Sequence, residues 1–91
     1  MQMNKREKTL IAFKKANSLL SKVVEMMSNN DYCIDIMQQN LAVLGLLKSA
    51  HQLLMESHLN TCFKKAMQVS SEKRKQEMIE EILKVTKLAN K

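Results

Sequence analysis

Composition and hydropathy patterning predict an all-α fold, with three helices per chain and an antiparallel four-helix core shared by two chains. The 91 residues include no proline, one glycine, one tyrosine, two phenylalanines and no tryptophan. That composition excludes most β-rich folds. Apolar residues recur at helical spacing along most of the chain, which is the primary signal for amphipathic helices. A chain this short buries only a modest core by itself, so a second copy is expected to complete it.

The first helix is expected over about residues 5–27. Phe13, Ala16, Leu20, Val23, Val24 and Met27 give its apolar stripe. Ser28-Asn29-Asn30 ends it and offers an N-cap to the next helix, with Asp31 in that helix's first turn. The second helix is expected over residues 31–67. At 1.5 Å per residue it is about 55 Å long. Ile34, Ile36, Met37, Leu41, Leu44, Leu47, Leu54, Leu59 and Phe63 spread over more than half its circumference, the pattern of a helix buried among several neighbours. Ser70-Ser71 caps a third helix over residues 72–88, with Met78, Ile79, Ile82, Val85 and Leu88 on its apolar side. Helices so unequal in length do not close a bundle within one chain. Helices one and two of two protomers would form the four-helix core, and the third would pack on its end. No repeat or low-complexity linker divides the sequence, which reads as one domain over residues 1–91.

Cys33, His58 and Cys62 stand out. His58 and Cys62 are four apart, so on a helix they share a face about 6 Å from each other. Cys33 lies twenty-five residues before His58, close to seven whole turns, and points to that same face. The rise between them is roughly 37 Å, so the three cannot meet along one straight helix. No proline interrupts the stretch, and its one glycine, Gly45, lies near its midpoint. A second, antiparallel chain would bring Cys33 of one protomer to His58 and Cys62 of the other. Gly45 would then sit at the crossing, where a missing Cβ lets backbones approach. Two thiolates and an imidazole form a soft ligand set suited to Cu(I), Zn(II) and related thiophilic ions, and three ligands suit Cu(I). The competing reading makes the cysteines small buried hydrophobes. His51, near the crossing, reads as a packed or hydrogen-bonded structural residue. Most of the eight methionines sit at core spacing and read as gap-fillers.

The formal net charge is +6, with a pI near 9.5. Such a balance favours polyanions, chiefly nucleic acid, or serves solubility alone. Lys8, Lys15 and Lys22 recur every seven residues, with Lys14 beside them. They form either a solvated edge or a phosphate-contacting one. Lys73-Arg74-Lys75 opens the third helix, where cations oppose the macrodipole. No catalytic triad, P-loop, paired-carboxylate site or zinc-finger spacing is present, so an enzyme is not expected. Two cysteines with no apolar signal core at the N-terminus indicate a reduced, cytoplasmic setting. No run of eighteen apolar residues is present to span a membrane.

The segment Asp31-Tyr32-Cys33-Ile34-Asp35-Ile36-Met37-Gln38-Gln39, then Ala42-Val43, then Glu56-Ser57-His58-Leu59-Asn60-Thr61-Cys62, resembles the CsoR/RcnR family of metal-sensing repressors. The resemblance runs from about Lys8 to Leu88. It implies an all-α dimer assembling into a dimer-of-dimers tetramer, with Cu(I) bound between protomers by Cys33, His58 and Cys62. In the copper-sensing branch, a tyrosine before the first cysteine and a glutamate on the third helix stand behind the ligands. Tyr32 matches the first; Glu77 is the nearest candidate for the second, with Glu80 and Glu81 as alternatives. Nickel and cobalt sensors add N-terminal histidines, formaldehyde sensors an N-terminal proline, and persulfide sensors lack the histidine, so His58 favours copper. Two stretches depart from the family. Its Arg-Ile-x-Gly-Gln run in helix one is here Lys15-Ala16-Asn17-Ser18-Leu19, and its helix-two arginine is here Leu44. Those positions are linked to DNA contact in the family. Lys14, Lys15, Lys22 and Lys48 are the candidate replacements, although lysine lacks the planar fork of arginine. The resulting expectation is a cytoplasmic Cu(I)-responsive repressor that binds operator DNA as the apo tetramer and is released by copper, with no small-molecule substrate. The alternatives are a copper buffer or carrier on the same scaffold, and a thiol or persulfide redox sensor using Cys33 and Cys62.

Overall fold

The computed structural model describes residues 4–90; the first three residues of the N-terminal start read above, and residue 91, lie outside them. Every regular element among the described residues is helical. In order they are α1 (Lys5–Ser28), α2 (Cys33–His58), a π-helical turn (Leu59–Phe63), α3 (Lys64–Val69) and α4 (Glu72–Ala89). The chain divides into two compact units, one ending at Ser57 and the other beginning at His58.

Local chemistry sets the helix ends. Asn4 caps α1: its side-chain oxygen accepts from the Glu7 backbone N–H at 2.8 Å, and its amide donates to the Glu7 carboxylate at 3.4 Å. This side-chain pairing of the N-cap with a glutamate at N3 resembles a capping box. At the other end Asn30 takes a left-handed conformation, with φ 56°. The Asp31 N–H donates to Met26 O at 3.0 Å and the Asn30 N–H to Met27 O at 3.2 Å. That bond pair is a Schellman closure with asparagine in the left-handed position. The Ser-Asn-Asn run thus ends α1 as expected, but it does not cap the next helix. The Tyr32 carbonyl accepts from the Asp35 and Ile36 N–H groups, so α2 opens at Cys33 and its first-turn acid is Asp35, not Asp31. The closure uses Asp31 to finish the preceding helix.

Within the first unit α1 and α2 form an antiparallel hairpin. Lys5 Nζ lies 3.5 Å from Glu56 Oε2, and Lys14 and Lys15 line a groove with Leu46. The buried and half-buried positions of α1 are Thr9, Ala12, Ala16, Leu19, Val23 and Met26. Those of α2 include Ile36, Gln39, Val43, Leu46, Ala50 and Leu53. Both sets alternate in steps of three and four, the spacing of a helix seam. The tightest points are small: Ala16 is 2 % exposed and Ala50 0 %. The inward stripe of α1 is therefore shifted by one residue from the expected one. Of the expected set, Ala16 and Val23 turn inward, while Phe13, Leu20, Val24 and Met27 are exposed. Alanines let the backbones approach where phenylalanine and leucine would hold them apart. Leu10, Phe13, Leu20, Val24 and Met27 on α1, and Met37, Leu41, Leu44, Leu47 and Leu54 on α2, are large apolar residues that the chain leaves exposed.

The second expected helix starts two residues later than expected. Its helical run continues to Val69, but with a π-helical turn inserted at Leu59–Phe63. α4 follows the expectation closely: Ser71 caps it, accepting from the Arg74 N–H at 3.2 Å. Met78 is its buried residue, while Ile79, Val85 and Leu88 remain exposed.

Two substitutions separate the seam from the open surface. Within one chain a Cβ built on Gly45 meets nothing within 4 Å, so Gly45→Ala is expected to leave the α1–α2 seam intact and add about 1 kcal/mol of helix propensity, a gain that a close crossing of two chains at Gly45 would offset. Ala50→Leu is expected to lower it by about 1–3 kcal/mol through overpacking. Urea unfolding followed by circular dichroism measures both.

Candidate metal centre

Cys33 is the first residue of α2, and its thiol is free and exposed. Tyr32 before it is 69 % exposed. His58 is the last residue of α2 and is half-buried. Cys62 lies inside the π-helical turn, with a free, exposed thiol. The Thr61 hydroxyl donates to its sulfur at 3.7 Å.

His58 and Cys62 are joined through the π turn. An α-helix stacks residues three and four apart, whereas π-type bonding runs i to i+5. Phe63, five residues on, lies beside His58, with ring centroids 6.3 Å apart and planes tilted by 55°. π turns of this kind are frequent at functional sites.

Among the described residues no group of three or more His, Cys, Asp and Glu side chains converges on one point. That agrees with the distance argument along the helix. The chemistry of the donors fits a thiophilic ion all the same: two free exposed thiols and one half-buried imidazole, with no disulfide between them. His51 is exposed within the single chain.

The structure separates the three glutamates of α4. Arg74 Nη1 donates to Glu81 Oε1 at 3.1 Å and to Glu77 Oε2 at 3.2 Å. Glu81 first and Glu77 second push the arginine above its ordinary value by hydrogen bonding. Glu77 and Glu81 thus share one face and one cation, and Glu80 is not part of that network. Sequence reasoning missed Arg74 as their partner. The signal was legible in its spacing of three and seven residues from Glu77 and Glu81. Lys75 pairs with Glu72 at 3.2 Å, so the basic run opening α4 is partly neutralised by its own helix.

Lys14 and Lys15 edge a groove floored by Ile11, Leu19 and Leu46. Lys22 and Lys48 are exposed. None of the four is ion-paired among the described residues.

Comparison with known proteins places this chain. Residues 5–87 match the family of metal-sensitive transcriptional repressors. The chain belongs to the metal-sensitive transcriptional repressor family. Members of this family are transcriptional repressors, not enzymes. The chain is 33 % identical over 64 residues to the copper-sensing transcriptional repressor CsoR of Mycobacterium ulcerans, which is 70 % of this chain and 55 % of that protein. It is 33 % identical over 63 residues to CsoR of Mycobacterium tuberculosis H37Rv, 69 % of this chain and 53 % of that one. It thus spans about half the length of these relatives. Its fold is similar to the crystal structure of the copper-sensing repressor CsoR with Cu(I) from Geobacillus thermodenitrificans. The TM-score is 0.80 at 28 % identity, covering 100 % of this chain and 94 % of that one. The three-helix, all-α expectation therefore agrees with the structure and with a repressor of this family. No described helix is long and apolar enough to cross a membrane.

The cap of α4 orders the turn from which Arg74 reaches its two glutamates. Ser71→Ala is expected to cost about 1 kcal/mol and to fray that turn. Faster amide hydrogen exchange at Lys73–Lys75, with α1 and α2 unchanged, would register it.

Proposed function

We propose that this chain is a cytoplasmic Cu(I)-responsive transcriptional repressor, binding DNA as an apo oligomer and released when copper binds. The observation that carries the reading is the soft donor set Cys33, His58 and Cys62 in a member of the metal-sensitive repressor family, two of the three being free, exposed thiols. Cu(I) would be held by Cys33 of one protomer with His58 and Cys62 of the partner subunit. The exposed large apolar residues of the α1–α2 hairpin support the antiparallel dimer this needs, and pairing of dimers would give the tetramer. Tyr32 and the Glu77–Glu81 face of α4 are the groups that would stand behind the ligands and connect copper binding to the rest of the assembly.

Release of DNA by copper requires that the bound and free forms differ in DNA affinity, by typically 1–3 kcal/mol of coupling. Lys14, Lys15, Lys22 and Lys48 would supply the phosphate contacts. Unpaired lysines suit this role, because neutralising phosphates releases counterions.

A second reading is supported by one residue. Leu44, where the family resemblance expects an arginine, is apolar and 53 % exposed. A copper buffer or carrier on the same scaffold needs no such arginine and no operator.

Two measurements test these readings. Cu(I) titration against a chromophoric chelator, with X-ray absorption, is expected to give one tightly bound ion per protomer ligated by two sulfurs and one nitrogen. Cys33→Ala is expected to abolish that affinity, and unchanged affinity would reject the site. For DNA, apo protein titrated against promoter and random duplexes at two salt concentrations is expected to bind with a steep salt dependence. Lys14→Ala with Lys15→Ala is expected to weaken both duplexes alike. An absence of binding at low salt transfers the assignment to the buffer or carrier.

A further inference from the structure

The donor atoms of α2 are not scattered. Its sequence contains five residues with a sulfur or imidazole donor: Cys33, Met37, His51, Met55 and His58. At about 100° per residue, from 3.6 residues per turn, all five fall within a sector of about 60°. A stripe that narrow covers about one-sixth of the helix circumference. Packing alone asks only that those positions be apolar, and the histidines are not typical fillers.

Met37 differs from a methionine that fills the chain's own core, and Met55 is half-buried. Met78 is 7 % exposed, whereas Met37 is 57 % exposed. Met37 follows Cys33 by four residues and Met55 precedes His58 by three, so each is a lateral neighbour of a candidate ligand. Each stands one turn inward from the end of the stripe. In an antiparallel pairing that sets Cys33 opposite the midpoint of His58 and Cys62, residue 37 falls opposite residue 56. Met37 then lies beside Met55 of the partner subunit, one turn from the thiolates.

We propose that Met37 and Met55 of the partner subunit form a thioether pair that binds a thiophilic monovalent ion beside the cysteine–histidine site. This rests on the copper-binding dimer proposed above. Two neutral sulfurs make a weak site for Cu(I) or Ag(I), which accept low coordination and prefer soft ligands. Thioethers carry no proton in the relevant range, so the ion binds there without the deprotonation that thiols require. The site serves as a loading position from which the ion passes to the thiolates, and it is occupied separately only when they are filled.

Ag(I) serves as a redox-inert probe. In intact protein with carbon-13 methyl-labelled methionine, Ag(I) beyond the equivalent taken by the thiolates is expected to shift the Met37 and Met55 methyl resonances and leave Met78 in place. Met37→Leu and Met55→Leu keep the volume and the packing. Each is expected to remove the additional, weaker Ag(I) equivalent while leaving sedimentation and the first equivalent unchanged. In Cys33→Ser with Cys62→Ser the methyl shifts are expected to persist, now with the first Ag(I) added. Dimeric protein that fills its thiolates yet shows unmoved methyl resonances would overturn the thioether site alone. A monomer in sedimentation, or wild-type protein whose thiols take up no Ag(I), would overturn the dimer reading and this site with it.

Discussion

The seam of small residues between α1 and α2 is the constraint on which the first unit depends. Ala16 and Ala50 are almost wholly covered, and side chains that small bring two helices close along one narrow line. Close approach confines the contact to Thr9, Ala12, Ala16, Leu19, Val23 and Met26 on one helix and their counterparts on the other. Phe13, Leu20, Val24 and Met27 lie outside that line and are exposed. A helix that is apolar over more than half its surface satisfies only part of that surface against one neighbour. The remainder stays exposed within the chain.

The second constraint is the change of hydrogen-bond type after His58. A π turn places one extra residue in the turn, and Cys62 sits within it. His58 is then packed against Phe63. The Cys62 thiol stays exposed. On α4, Arg74 holds Glu77 and Glu81 together, which presents two carboxylates as one group. These contacts are exposed and individually weak. Their value lies in orientation, because a surface ion pair is easily exchanged when a neighbouring charge changes.

Membership of a metal-sensitive repressor family and the soft donors of α2 are what support the proposed thiophilic ion. The charge pattern is less specific. Lys14 and Lys15 flank an apolar groove and have no carboxylate partner among the described residues, so they suit a polyanion as point charges. Lysine can hold a phosphate backbone without reading a sequence, since it lacks the planar, bidentate fork of arginine. Exposed Leu44 adds nothing to such a contact. Both readings of the function share one metal chemistry and differ only in whether these basic groups meet DNA.

Much was legible in the sequence because it is a local property. Helical periodicity, the absence of proline, and the caps at Ser71 and around Ser28-Asn29-Asn30 located three helices to within a few residues. The spacing of Cys33 from His58 already showed that the candidate ligands could not meet along one helix, and that follows from rise per residue alone. What tertiary structure decided was which apolar stripe turns inward. Phe13, Leu20, Val24 and Met27 have the same periodicity as the true seam one residue away, and periodicity does not choose between adjacent stripes. The choice is made by steric fit between two helices, which favours alanine at the closest points. The left-handed Asn30, whose closure claims Asp31 for α1, and the π turn around Cys62 were also invisible in the pattern. Both are single-residue adjustments of backbone hydrogen bonding, which side-chain spacing does not encode.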